Sequence, residues 1–543
     1  MHIRTLSVGL ALFALTVLAQ ATPAFAAEPG RRICGSTTLQ QLVPYEVQPW
    51  HGPMNLRREA PKVGDTRAFW TYDLSVMPPE NVTVQSTCRA VTDDVAIWVA
   101  DDQWKSTVQA SDINTLLAAL ADSTPRFADS GLVANDVDLF GEPPTFSDGD
   151  PRLTVLVYPI PGYKGYLFDG FFRREDLAPF VPGCENNPMT YCSNELAMIH
   201  VNSEDVASEY MQGVIAHEFE HLIHYGHSSN EEIWLDESLA ELAMVYSGYT
   251  DPGNLEYYAQ HPDSSLIVEA PVDYGACLLF GAYLFERLGR EGIRTLIEDA
   301  ATGVQSIQNY LATTLTFGQF FGQWSAAILA GNPDLDEGQF GFTLMAPPEM
   351  SGTQISSAPK EETVTVNASA MRFFYASLNA PGAGWVLNVT CTDVDSDATC
   401  WYVGEEGGEV RQILTGQTLT ITPMGDTVTF SVAMANASQT PRELTLAVEW
   451  RVEQTEEPAV EAVEAVEDEV DIQDEPDAFV EETISEDLVT NDAEDFDDVT
   501  PTEKKDGGSD GCSASPFTPA THSIPWILLL ALLAMAALRP ARD

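Results

Sequence analysis

The stretch from Met211 to Tyr246, MQGVIAHEFEHLIHYGHSSNEEIWLDESLAELAMVY, constrains this chain more than any other. Within it, His217-Glu218-Phe219-Glu220-His221 fits the pattern H-E-x-x-H. That spacing puts two imidazoles on one helical face, one turn apart, where both can reach a single zinc ion. A helix is available, because Val206, Tyr210, Val214, His217, His221 and Tyr225 recur at helical spacing and no proline falls between Glu204 and Tyr225. Gly226 is the expected stop. Glu218 then sits beside the metal, placed to take a proton from a water that the ion has acidified and to pass it to a leaving amine.

The same stretch offers two candidates for a third ligand. Glu237 lies in Trp234-Leu235-Asp236-Glu237-Ser238-Leu239-Ala240-Glu241, which opens a second apolar-periodic helix after a polar turn at Ser228–Asn230. Glu241 falls one turn beyond it and can hydrogen-bond a ligand histidine from behind. His227 stands at the third-histidine position of H-E-x-x-H-x-x-G-x-x-H, but His224 occupies the place of that pattern's glycine, so Glu237 is preferred. His224 reads as a surface or packing histidine, and Glu220, Glu231 and Glu232 read as solvated or helix-start charges.

HEFEH followed by WLDESLAE resembles the gluzincin branch of zinc metallopeptidases, and within it the hyicolysin-type and related secreted bacterial enzymes. Ser238 stands where glycine is common in that pattern. Segments 148–158, 170–172 and 273–284 are similar to parts of the same enzymes, so the likeness spans roughly residues 130 to 300. It implies an α+β zincin-like metallopeptidase domain, with a mixed α/β lobe and a mainly helical lobe flanked by β-rich domains. It also implies hydrolysis of a protein or peptide substrate by water, with no covalent intermediate. A tyrosine or histidine outside the zinc helices often stabilises the oxyanion in such enzymes. Tyr274 is the candidate here, against the alternative that it only packs at a helix start.

Ahead of this region, residues 1–26 carry a basic start, an apolar run Leu6–Leu18 and Ala24-Phe25-Ala26, the layout of a secretory signal peptide. Residues 27–105 alternate apolar and polar in runs such as 67–72 and 94–100, suggesting a β-rich N-terminal domain or prosegment. Residues 106–350 are the expected peptidase domain: a helix at 113–120, strands at 153–158 and 196–201, then helices at 274–288, 293–299 and 317–329. The strand just before the zinc helix is expected to offer its edge to an extended peptide. Residues 355–453 read as a β-sandwich appendage with strands at 371–378, 384–391, 417–421, 427–433 and 443–452.

The eight cysteines favour an oxidising compartment, with Cys34–Cys88, Cys184–Cys192 and Cys391–Cys400 as the economical pairing and Cys277 as a buried thiol. Asp136, Asp138, Asp148 and Asp150 gather near Gly149 in sequence and could bind calcium, although the loop pattern is incomplete and an ordinary acidic turn is favoured. Residues 454–511 form an acidic linker, since 453–503 hold 22 Asp and Glu and no Lys or Arg. Most of the net charge of −56 lies outside that segment, and no basic patch remains to bind nucleic acid. Residues 512–543, with Cys512, an apolar run Ile524–Leu538 and terminal arginines, resemble the C-terminal sorting tails of myxobacterial and related exported proteins. The resemblance implies surface display, held to the membrane or cell envelope. The reading from a different class is a non-enzymatic surface adhesin with a structural or vestigial metal site.

Overall fold

The computed structural model describes residues 32–47, 60–144, 150, 152–268, 272–312 and 314–453. The expected signal peptide, acidic linker and sorting tail lie outside the described residues, as does Asp148. No helix among the described residues is long and apolar enough to cross a membrane. The chain is mixed α and β, with several sheets.

The described residues begin with strand β1 (Arg32–Ile33) and helix α1 (Gly35–Gln40). Strands β2 (Thr66–Asp73), β3 (Glu80–Val91) and β4 (Val95–Ala100) follow as an antiparallel meander. After helices α2 (Ala110–Ala121) and α3 (Leu132–Phe140) come β5 (Leu153–Tyr158), β6 (Leu167–Phe168), β7 (Gly170–Phe172) and β8 (Met198–Asn202). One six-stranded sheet takes the order β2-β3-β4-β5-β8-β7, parallel at its centre. β4 and β5 are buried along their whole length, as expected of strands covered on both faces, and their sequences VAIWVA and LTVLVY are near-continuous apolar runs for that reason.

The pairing of β4 with β5 corrects the boundary expected at residue 105: strands from both sides of it belong to one sheet. The expected free edge is corrected as well. β8 is flanked by β5 and β7, so its backbone groups are already paired, and the edge falls to the three-residue β7.

Helix α4 (Glu209–His227) packs on β7 and β8 and is followed by α5 (Ile233–Tyr246). Ser208 caps α4, its hydroxyl accepting from the Met211 amide. The helix runs through Gly226 rather than stopping there. Then come α6 (Pro252–Gln260), α7 (Tyr274–Glu298), α8 (Gly303–Leu311) and α9 (Phe317–Ala330). α7 joins the two helices expected at 274–288 and 293–299 across a kink at Gly289, whose φ is 64°. It lies close on α5, since a Cβ at Gly281 would stand 2.1 Å from the Ser238 carbonyl oxygen.

Residues 353–452 form two further sheets around one core. The elements are β9 (Thr353–Ile355), β10 (Lys360–Val366), β11 (Ala370–Asn379), β12 (Trp385–Thr392), β13 (Ala398–Gly404), β14 (Val410–Gln412), β15 (Thr418–Ile421), β16 (Thr427–Asn436) and β17 (Arg442–Val452). Their orders are β10-β17-β12-β15 and β14-β13-β16-β11-β9. The second sheet is no loose appendage. Its outer face packs on α9, and Met371, Phe373, Trp401 and Ala433 join the core of the preceding region.

Two of the three expected disulfides form, Cys184–Cys192 and Cys391–Cys400. The third does not: Cys34 and Cys88 are separate buried thiols, as is Cys277. Cys88 points into the sheet core from β3, whereas Cys34 lies against α4.

Candidate metal centre

α4 and α5 bring His217, His221 and Glu237 together, and a residue the sequence reading had paired elsewhere joins them. The side chains of Cys34, His217, His221 and Glu237 are all buried and could hold one metal ion between them. His217 Nε2 lies 3.2 Å from His221 Nε2 and 3.2 Å from Glu237 Oε2. His221 Nε2 lies 3.7 Å from Glu237 Oε2 and 3.5 Å from Cys34 Sγ.

The groups behind the rings fix which atoms face the centre. His217 Nδ1 is 3.3 Å from Glu241 Oε1, and His221 Nδ1 is 3.1 Å from Asp236 Oδ2. Carboxylates at Nδ1 hold the protons there and turn both Nε2 lone pairs inward. Glu237 Oε1 accepts from Thr37 Oγ1 at 2.8 Å, leaving Oε2 directed at the rings without a well-aligned hydrogen bond. Four electron-rich atoms thus converge on one point, and a cation at that point removes their mutual repulsion. The donor set fits a transition-metal ion, since thiolate and imidazole are soft to borderline ligands.

The electrostatics favour positive charge here. Burial works against a charged His217 or His221, yet neighbouring groups, Cys34 and Asp236 foremost, push both well above the ordinary range. Burial likewise opposes ionisation of Glu237, but the two histidines outweigh it and pull its carboxyl down to about 2. Burial dominates at Glu241, which is pushed up to about 7. Cys34 is also raised, by burial first and then by Glu218 and Glu237, so its thiol keeps its proton unless a cation takes the proton's place.

Glu218 shares this face of α4. Its Oε2 accepts from Ser36 Oγ at 2.7 Å and from the Phe172 amide at 3.0 Å, while Oε1 has no hydrogen-bond partner. β7 can come this near because of Gly170, where a Cβ would stand 2.9 Å from Glu218 Cγ. β7 itself is tied down by Arg173, a fully buried side chain. Arg173 donates to Asp176, to Asn81 and to the Trp70 and Cys192 carbonyls. Tyr274 begins α7, buried, with its ring 6.3 Å from that of His217, and lines the same small cavity as His217, Glu218 and Glu241.

Glu220 and Glu231, expected as solvated or helix-start charges, have buried side chains instead, and the other candidates fall as follows. His227 ends α4 with Nε2 3.0 Å from the Glu142 carbonyl oxygen, remote from the converging atoms, so it is no ligand. His224 is fully buried, its Nδ1 3.0 Å from Asp236 Oδ1 and 3.5 Å from Glu220 Oε1. Glu220 is fully buried too, pushed up to about 8 by burial. Glu231 is largely buried, its Oε1 accepting from the Gly303 amide at 2.6 Å. Among the described residues, the three acidic calcium candidates do not gather: Asp136 is buried in α3, Asp138 pairs with Arg290, and Asp150 pairs with Arg152 at 2.9 Å.

Asp236, Cys34, Ser36 and Thr37 were missed by sequence reasoning. Asp236 could have been found, since it precedes Glu237 on the helix that faces α4. Ser36 and Thr37 carried no local signal, and Cys34 was assigned to a disulfide with Cys88.

No protein-family model matches the sequence, and no curated protein is similar to it at a significant level. Short stretches are similar to solved structures. One is PliG of Salmonella Typhimurium, a periplasmic lysozyme inhibitor of g-type lysozyme, at 8% identity over 19% of this chain and 100% of that chain, TM-score 0.14. Others are a de novo designed double-stranded beta-helix (17% identity, 17% and 99% covered, TM-score 0.12) and the pre-peptidase C-terminal domain of collagenase from Bacillus anthracis (8%, 18% and 95%, TM-score 0.12).

Proposed function

We propose that this chain is a zinc-dependent peptidase of gluzincin type, exported and held at the cell surface, acting on protein or peptide substrates. The observation that carries the reading is the convergence of His217 Nε2, His221 Nε2 and Glu237 Oε2 beside a carboxylate, Glu218, that is not among the converging donors. Donors about 2.0–2.1 Å from a tetrahedral centre stand about 3.3 Å apart, and a sulfur–nitrogen edge is about 3.5 Å. The separations of 3.2, 3.2 and 3.5 Å lie close to such edges, and that between His221 and Glu237, at 3.7 Å, is longer. A purely structural zinc site has no use for a general base, yet Glu218 stands with one oxygen free of hydrogen bonds.

His217, His221 and Glu237 would hold the ion, which when bound supplies Lewis acidity and lowers the pKa of water. Glu218 takes a proton from the attacking water at Oε1 and delivers it to the departing amine nitrogen. The Phe172 amide fixes the other oxygen so that the carboxylate cannot swing away. Glu241 and Asp236 hold the two rings by their Nδ1 protons. Tyr274 stands across the cavity, the candidate donor to the oxyanion.

The test is casein hydrolysis by purified residues 27–453 with metal measured on the same sample, for the wild type and Glu218→Gln. About one zinc per chain with hydrolysis that falls roughly 100-fold or more in the variant, zinc retained, supports the reading. Hydrolysis that survives Glu218→Gln sinks it.

A further inference from the structure

Cys34 does not stand alone at the centre: the segment that carries it closes the site from end to end. β1 adds to β6 as a parallel strand, pairing Arg32 with Leu167 and Ile33 with Phe168. This is how an extended peptide docks on a strand, except that the peptide belongs to the chain itself. Gly35 then crosses β7 so tightly that a Cβ would stand 2.9 Å from Phe171 Cβ and 3.0 Å from the Gly170 carbonyl oxygen. Ser36 Oγ accepts from the Phe172 amide at 2.7 Å while donating to Glu218 Oε2. Thr37 Oγ1 donates to Glu237 Oε1.

The segment therefore engages both the would-be base and a would-be ligand. Its sulfur lies 3.5 Å from His221 Nε2 and 3.7 Å from Glu218 Oε2, and accepts from the Ser36 amide at 3.3 Å. On one side of it lies a cavity of about 30 Å³, lined by Cys34, His217, Glu218 and Tyr274. On the other lies one of about 90 Å³, lined by Ser36, Thr37, Phe172 and His221. Each holds a few waters at most, whereas ligand clefts run to about 300–1,000 Å³. Both cavities are lined by residues of this segment and of α4.

We propose that Arg32–Gln40 is a built-in inhibitor of this site, with the Cys34 sulfur as the fourth metal ligand in the position that the attacking water must occupy. The inference rests on the peptidase reading. On binding, the thiol releases its proton to solvent as the sulfur–metal bond forms. On opening, that bond breaks, a water oxygen takes the position, and the thiolate is reprotonated. No oxidant or reductant takes part.

The test uses the mature chain loaded with cobalt(II) in place of zinc, because a thiolate ligand gives an intense sulfur-to-cobalt charge-transfer band in the near ultraviolet. The wild type should show the band. Cys88→Ser and Cys277→Ser should keep it, and Cys34→Ser should lose it while still binding about one metal per chain. Casein hydrolysis by zinc-loaded Cys34→Ser should exceed the wild type at least tenfold.

A wild type that binds cobalt without the band overturns the proposal before any variant is made. A band lost in Cys34→Ser with hydrolysis equal to that of the wild type overturns the inhibitory role and leaves the peptidase standing. A band lost with no hydrolysis by either chain removes the peptidase reading and the inhibitor with it, leaving a four-ligand structural site.

Discussion

Asp136 and Arg173 are both buried, and their surroundings treat them oppositely. Arg173 loses solvation on burial but gains Asp176 and Glu175, and the two carboxylates hold its charge. Arg173→Ala removes one side of that group and leaves buried carboxylates uncompensated, so urea denaturation should show a loss of about 3–5 kcal/mol. Asp136 has no hydrogen-bond partner on either oxygen, and burial followed by Glu220 raises it well above 3.8. A carboxyl raised in the folded state contributes stability that is full below its unfolded pKa and is lost as the pH rises. Asp136→Asn, which keeps the shape of the protonated acid, should therefore match the wild type near pH 3 and exceed it in melting temperature at neutral pH. At the metal centre, Asp236→Asn should keep the ligands but weaken their hold on the ion about 10–100-fold in a chelator competition, because His221 loses its Nδ1 anchor. Among these residues only the ligands and Glu241 were legible, since helical spacing sets their relations and helical spacing can be read from a sequence. Asp136 and Arg173 draw their character from elements far away in the chain.

At the scale of elements, periodicity located α4 and the long helices, which bury a regular face, and the short continuous apolar runs located β4 and β5. Periodicity failed where an element is covered from an unforeseen side. β13, with ATCWYV buried throughout, shows no alternation because α9 lies on the face that a sandwich would leave to solvent. β1 is two residues long and α1 six, too short to show a period, and their contacts are with residues from 135 to 200 positions later. The close crossing at Gly35 makes α1 testable apart from its cysteine. Gly35→Val should push the segment off β7, and it should raise casein hydrolysis in the same direction as Cys34→Ser while leaving sulfur in the chain.

For the molecule as a whole, the β-rich residues 353–452 are part of what holds the preceding region together. Gly318 and Gly322 of α9 approach the sheet so closely that a Cβ would stand 2.2 Å from the Ser396 carbonyl oxygen and from Thr399 Oγ1. A chain cut at residue 352 would expose the α9 face that now packs on β13 and β16. Its expected fate is aggregation, seen as loss of the monomer peak in size-exclusion chromatography, where residues 27–453 stay monodisperse. Composition and motif spacing separated these regions in sequence, and neither could show that they share a core.

The segment at the metal centre is also the first of the described chain to be synthesised, and its docking sites are among the later ones. Cys34 must wait for His221, and Thr37 for Glu237, before either has anything to bind. A cap that docks last leaves the site assembled open before it is closed. Such late, local contacts can release by opening alone, at a free energy well below that of global unfolding. Latency and stability would then be set by separate parts of one chain, so selection could retune one without disturbing the other.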